Sequence, residues 1–139
     1  MKEKSEILSA FNKRCKNTLM ETLEIEYVDV GKDFLVAKMP VNSRVHQPYG
    51  LLHGGATAAL AESVGSAASS FFVDNKKFMV KGIELSINHV KSIKEGVVTA
   101  TANVLHKGRT THLWEIKVTN ENNELISISK LTNIVLEKQ

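Results

Sequence analysis

The chain of 139 residues has one cysteine, two prolines and no run of charge of one sign. Cys15 alone can form no internal disulfide, which fits a reducing compartment. The 18 Lys and Arg residues exceed the 15 Asp and Glu by only three and are scattered, so no nucleic-acid groove is indicated. Met1 to Thr18 is polar, mixed in charge and without the apolar core of a secretory signal, which makes the cytoplasm the expected location. Several chemistries lack their residues. His46, His53, His89, His106 and His112 include no close helical pair, and one Cys gives no thiolate set, so no metal is expected. Ser66 follows Gly65, but no Gly-x-Ser-x-Gly elbow exists. No phosphate-binding glycine loop or dinucleotide fingerprint occurs.

What is present suffices for one core. Apolar residues at 42% and charged residues at 24% are ordinary globular usage, which argues against disorder and predicts one domain over residues 1–139. Residues 3–20 read as an amphipathic helix with Ile7, Leu8 and Phe11 on one side. Thr22 to Val41 reads as two strands turning at Gly31-Lys32-Asp33, and Asn42 to Gly50 as a loop. A helix is expected from Gly54-Gly55 to about Val73. Four strand-like segments follow: Met79 to Val90, Gly96 to His106, Thr110 to Thr119 and Leu125 to Leu136. This order predicts an α+β fold with one antiparallel sheet.

Leu51 to Val73 is long enough to span a membrane, but it is built from Gly, Ala, Ser and Thr, and a central carboxylate costs about 3 kcal/mol on insertion scales. A soluble helix is the better reading. With no Lys or Glu along an outer face, it is expected to be largely enclosed by the sheet.

Glu62 is the one formal charge in that stretch. An unpaired carboxylate in such a place needs partners or a task. It can be a buried acid satisfied by Ser63 and Ser66, or a general base or nucleophile, with Ser66 at i+4 orienting it or a water. Upstream, His53-Gly54-Gly55 stands at the helix start, where backbone N–H groups lack intrahelical partners and glycine admits a ligand carbonyl. That is either an oxyanion hole or an ordinary loop-to-helix junction. Gln47 can hold a water or a carbonyl, or be a plain loop amide. His53 can donate to a thioester oxygen or only cap the backbone.

The string His46-Gln47-Pro48-Tyr49-Gly50-Leu51-Leu52-His53-Gly54-Gly55, with Leu60-Ala61-Glu62-Ser63-Val64-Gly65-Ser66, resembles the hotdog-fold acyl-CoA thioesterases. The branch is that of arylacyl-CoA, 1,4-dihydroxy-2-naphthoyl-CoA and enterobactin-pathway thioesterases, including phenylacetate-degradation-like members. Gly82 to His89, His106 to Thr110 and Trp114-Glu115 extend the resemblance over nearly the whole chain. It implies a hotdog fold, an antiparallel sheet wrapped around a long central helix, and hydrolysis of an aryl or medium acyl-CoA to free acid and coenzyme A. Glu62 would be the catalytic carboxylate, the Gly54 amide the oxyanion donor, Gln47 and His53 the groups placing carbonyl and water, and Ser66 their supporting hydroxyl. Gly82, Asn88, His89, Val90 and Lys91, with His106, Lys107, Gly108, Arg109 and Thr110, would bind substrate and its coenzyme A. By residue type alone, Lys91, Lys107 and Arg109 around Gly108 suit phosphates but equally a solvated basic turn. The resemblance further implies sites formed between two subunits, so that a homodimer is required and a homotetramer is expected. No cofactor is expected, because coenzyme A is part of the substrate.

Two other functions compete. A hotdog dehydratase or hydratase would also pair an acid with a histidine, but lacks this Gln, His-Gly-Gly and Glu spacing. An acyl-CoA sensor would need a partner or DNA-binding segment, for which the N-terminal stretch is short. The Phe71-Phe72 pair suggests an apolar or aromatic acyl pocket, and core packing explains it equally well.

Overall fold

Alanine, glycine and serine dominate residues 54–69, and this low-bulk segment forms the helix on which the sheet is laid. The computed structural model describes residues 3–139; the first two residues of the expected unit lie outside them. Helix α1 is Lys4–Arg14, α2 is Leu19–Thr22 and α3 is Gly54–Ser69. The strands are β1 (Glu26–Val30), β2 (Phe34–Val41), β3 (Phe78–His89), β4 (Gly96–Lys107), β5 (Thr111–Thr119) and β6 (Leu125–Glu137). They make one six-stranded sheet in the order β1-β2-β4-β5-β6-β3, with every neighbouring pair antiparallel. The expected α+β class and helix-wrapping sheet are therefore observed; β2 to β6 keep within a residue or so of expectation, whereas Thr22 closes α2 and β1 begins only at Glu26 rather than at Thr22.

Strand alternation explains the core. Leu35, Ala37 and Met39 on β2, Val98, Ala100 and Ala102 on β4, and Trp114, Ile116 and Val118 on β5 are fully or almost fully buried at every second position. Leu60, Ala61, Val64 and Ala68 of α3 meet them. Each fully buried Leu, Ile or Val side chain among them contributes about 2 kcal/mol. The approach is close at Gly65, where an added Cβ would stand 2.6 Å from Leu131 Cδ2.

Three expectations change. The N-terminal helix is broken: α1 ends at Arg14, and Asn17 takes φ 62°, a left-handed conformation that stops a helix before α2 starts. The central helix ends at Ser69 and tightens into a 3₁₀ turn over Ser70–Phe72 rather than running to Val73. Nor is α3 enclosed on all sides. The sheet covers the face bearing Leu60, Val64 and Ala68, while Glu62 is exposed. The small residues admit the sheet on one side and leave a cavity on the other.

Candidate active site

The open face of α3 forms one wall of a cavity of about 870 Å³, lined by Ala58, Ala59, Glu62, Ser63 and Ser66. Phe11, Met20 and Tyr27 from the N-terminal segment and Phe78, Met79 and Val80 from β3 form other walls. The i,i+4 spacing thus brings Glu62 and Ser66 to one cavity, as expected. Ser63 is committed elsewhere, its hydroxyl donating to the Ala59 carbonyl at 2.6 Å. Tyr27 donates to the Ser63 carbonyl at 3.3 Å, and burial pushes its phenol well above its ordinary pKa. Glu62 is exposed, so of its two readings the buried acid satisfied by Ser63 and Ser66 does not hold. It is held against β3 instead: a Cβ at Gly82 would stand 3.1 Å from Glu62 Oε2. Gly82 sits at a register shift between β3 and β6, so it meets the carboxylate and lies apart from the other expected coenzyme A residues.

Of the helix start, Gly55 also lines this cavity, but Gly54 does not. His53 is the N-cap of α3, its Nδ1 accepting the Gly55 N–H at 2.7 Å. That bond places the ring proton on Nε2, which stays able to donate outward. The Gly54 N–H has no acceptor among the described residues. A second cavity of about 320 Å³ gathers Gln47, Gly54, His89, Val90 and Lys91. The Gln47 side-chain oxygen accepts from the Tyr49 backbone, which leaves its NH₂ as the outward donor. An added Cβ at Gly54 would stand 2.8 Å from His89 Nε2, so glycine is what lets the imidazole close over the helix start. Gly54 and Glu62 are more than two turns apart, about 12 Å along the axis. A single chain therefore does not bring Glu62 and Ser66 to Gln47 and Gly54.

The remaining expected residues divide between two turns. Asn88 pairs with Ile128 one residue before β3 ends at His89, and the Val90 and Lys91 N–H groups both donate to the Ile126 carbonyl. The Lys91 ammonium is paired with Glu124, whose carboxyl is held below its ordinary pKa by that bond and by Asn120. His106 and Lys107 end β4, and Gly108, Arg109 and Thr110 form the β4–β5 turn, closed by Gly108 N–H donating to Thr111 O at 2.8 Å. Lys107 Nζ lies 4.4 Å from the centre of the Phe72 ring. Phe71 packs on Phe11 at 5.0 Å and Phe72 stacks on Trp114 at 5.4 Å. Neither lines the Glu62 cavity of the single chain.

Sequence reasoning passed over a buried polar cluster behind that turn. Ser69, His112, Trp114 and Asn133 are each at most 2% exposed and hydrogen-bonded together. His112 had been weighed only as a metal ligand. The signal available was its alternation with Trp114, Ile116 and Val118, which turns it inward. Asn133 Oδ1 is buried without a partner among the described residues, a cost of about 1–3 kcal/mol.

An antiparallel sheet laid on one long helix, with a lone carboxylate at mid-helix and a free backbone donor at its start, defines the hotdog thioesterase class. The thioesterase superfamily model matches residues 49–127, and the chain belongs to that superfamily; it is a thioester hydrolase. It is similar to a proofreading thioesterase of Cronobacter turicensis, 42% identical over 129 residues covering 93% of each chain. It is similar also to a 1,4-dihydroxy-2-naphthoyl-CoA hydrolase of Escherichia coli, 40% identical over 93% of this chain and 94% of that one. Among solved structures, a mutant thioesterase of Pseudomonas aeruginosa superposes with TM-score 0.92 at 40% identity, covering 94% of both chains. Among the described residues, no helix is long and apolar enough to cross a membrane.

Proposed function

We propose that this chain hydrolyses an aryl or medium acyl-CoA to free acid and coenzyme A, at a site completed by two copies of the chain. The observation that carries the proposal is the division of the site residues. Glu62 and Ser66 line one cavity, and Gln47 and Gly54 line another. A second copy supplies the missing half to each. The thioester carbonyl accepts from the Gly54 N–H of one subunit, where the helix start also offers partial positive charge. That donor stabilises the tetrahedral oxyanion by about 3 kcal/mol. Gln47 and His53 place carbonyl and water, and Glu62 of the other subunit delivers the chemistry, steadied by Ser66.

Two routes use the same geometry. As nucleophile, Glu62 attacks the carbonyl carbon, coenzyme A leaves as thiolate, and water cleaves the resulting anhydride. As base, Glu62 takes a proton from water, the hydroxide attacks, and the proton passes to the departing sulfur. Label in the Glu62 carboxylate after a single turnover in ¹⁸O water identifies the anhydride route, since it enters only when water attacks the Glu62 acyl carbon.

The composite site is tested by mixing inactive variants. Glu62→Ala and Gln47→Ala, exchanged into hybrid dimers, regain one intact site in each dimer, and activity returns. A site contained in one chain gives no recovery, and that result would overturn the proposal. The β4–β5 turn, with Lys107 and Arg109, would take the nucleotide phosphates. A homotetramer built from two such dimers is the expected assembly.

A further inference from the structure

The buried cluster of Ser69, His112, Trp114 and Asn133 has no part in the thioester chemistry, yet it lies directly behind the basic turn. Three side chains converge on Ser69 Oγ: Trp114 Nε1 at 2.7 Å, Asn133 Nδ2 at 2.7 Å and His112 Nδ1 at 2.9 Å. Counting protons fixes the roles. The indole nitrogen can only donate. The Asn133 amide is oriented by its second bond, from Nδ2 to the Gly65 carbonyl at 3.1 Å, so it too presents N–H to Ser69. Those two donors fill both lone pairs of the hydroxyl, and the Ser69 proton must go to His112 Nδ1. The imidazole is therefore neutral and carries its own proton on Nε2.

The opposite side of the ring belongs to the turn. His112 pairs with Lys107 in the β4–β5 register. Burial and the Lys107 charge both hold the ring below its ordinary pKa, while hydrogen bonding with the Gly108 backbone opposes them. Phe72 meets the His112 ring edge-on at 5.3 Å, stacks on Trp114, and carries the Lys107 ammonium on its face. Contacts thus run without a break from the end of α3 through Ser69 and His112 to the turn that holds Lys107 and Arg109.

We infer that His112 is a positioning residue for substrate binding: its neutral ring, fixed by Ser69, sets the His106–Thr110 turn in the shape that receives the nucleotide phosphates of coenzyme A. The inference rests on the acyl-CoA reading above and adds to it the residue through which the fold controls the turn.

The test compares one acyl group carried on coenzyme A and on pantetheine, which lacks the nucleotide phosphates. His112→Leu keeps an apolar side chain at the position and removes the hydrogen bond with Ser69 together with the ring's polar contact with the turn. It raises KM for the coenzyme A ester about tenfold, the scale expected for a misplaced binding group, and leaves kcat and the pantetheine ester little changed. His112→Gln restores the KM, because its amide offers one acceptor and one donor in place of the two ring nitrogens. Ser69→Ala, which deletes a single oxygen, carries the same expectation as His112→Leu and serves if that variant fails to fold. Equal loss on both esters, or no loss on either, overturns the inference while wild type still prefers coenzyme A. A wild-type enzyme indifferent to the nucleotide overturns the reading of the turn and this inference with it.

Discussion

Glu62 and Gly82 touch: a methyl group at residue 82 would lie 3.1 Å from Oε2 and 3.4 Å from Cδ of the carboxylate. The same methyl group would meet Leu131 Cδ1 at 3.3 Å. Both neighbours are side-chain ends that can give way, so Gly82→Ala is expected to fold and to displace the carboxylate. Turnover falls about tenfold or more for a displacement approaching 1 Å. Far-ultraviolet circular dichroism and kcat on one preparation check this, and a variant with unchanged kcat removes Gly82 from the site.

Glu62→Gln keeps the shape of the side chain and removes its charge and basicity. Loss of a positioned base lowers turnover by about 10²–10⁴-fold. Because Glu62 is exposed and makes no salt bridge among the described residues, the melting temperature should hardly move. Hydrolysis at the wild-type rate would exclude Glu62 from the mechanism.

The basic residues are unequal. Lys91 is already paired with Glu124, whereas Arg109 is exposed and has no carboxylate partner among the described residues. Arg109→Ala is expected to raise KM for a coenzyme A ester more than Lys91→Ala does. The difference shrinks with added salt, since screening over about 8 Å at physiological ionic strength weakens exposed charge pairs. Initial rates at two salt concentrations decide it, and equal effects of the two variants count against the turn.

His112 also predicts a pH dependence of stability. Its pKa is lowered in the folded chain from an ordinary value of about 6.5. The unfolded chain therefore binds more protons between the two values, and stability declines as pH drops through that window. Above it, the ring is neutral in both states and contributes constantly. Asp29 and Glu124, also lowered, act only in the more acidic carboxylate range. The urea midpoint should fall between pH 7.5 and pH 5.5, and His112→Gln should flatten that fall. The same slope in the variant would assign the effect to other groups.

Much of the frame was legible because alternation and turn residues act locally. β2, β4 and β5 bury every second side chain, and the small residues of α3 mark it at once. Glu62, Ser66 and Gly54 stand out on that helix by residue type and spacing. The missed features depend on which parts of the chain meet. Asn17 breaks the first helix through a backbone conformation that residue identity does not dictate. Met20 and Tyr27 reach the Glu62 cavity only once the N-terminal segment packs across α3. Ser69, His112 and Asn133 lie far apart in sequence, and each alone is an unremarkable polar residue.

Cys15, the chain's lone thiol, is 6% exposed, and its S–H donates to the Phe11 carbonyl at 3.4 Å. Burial pushes its pKa up, with Arg14 acting weakly the other way. It therefore stays protonated and shielded at neutral pH, and a colorimetric reagent that counts liberated coenzyme A reads against a quiet background. The same sulfur doubles as a stopwatch. Its slow reaction with such a reagent, with no substrate present, records how often the packing of α1 over Tyr27 opens.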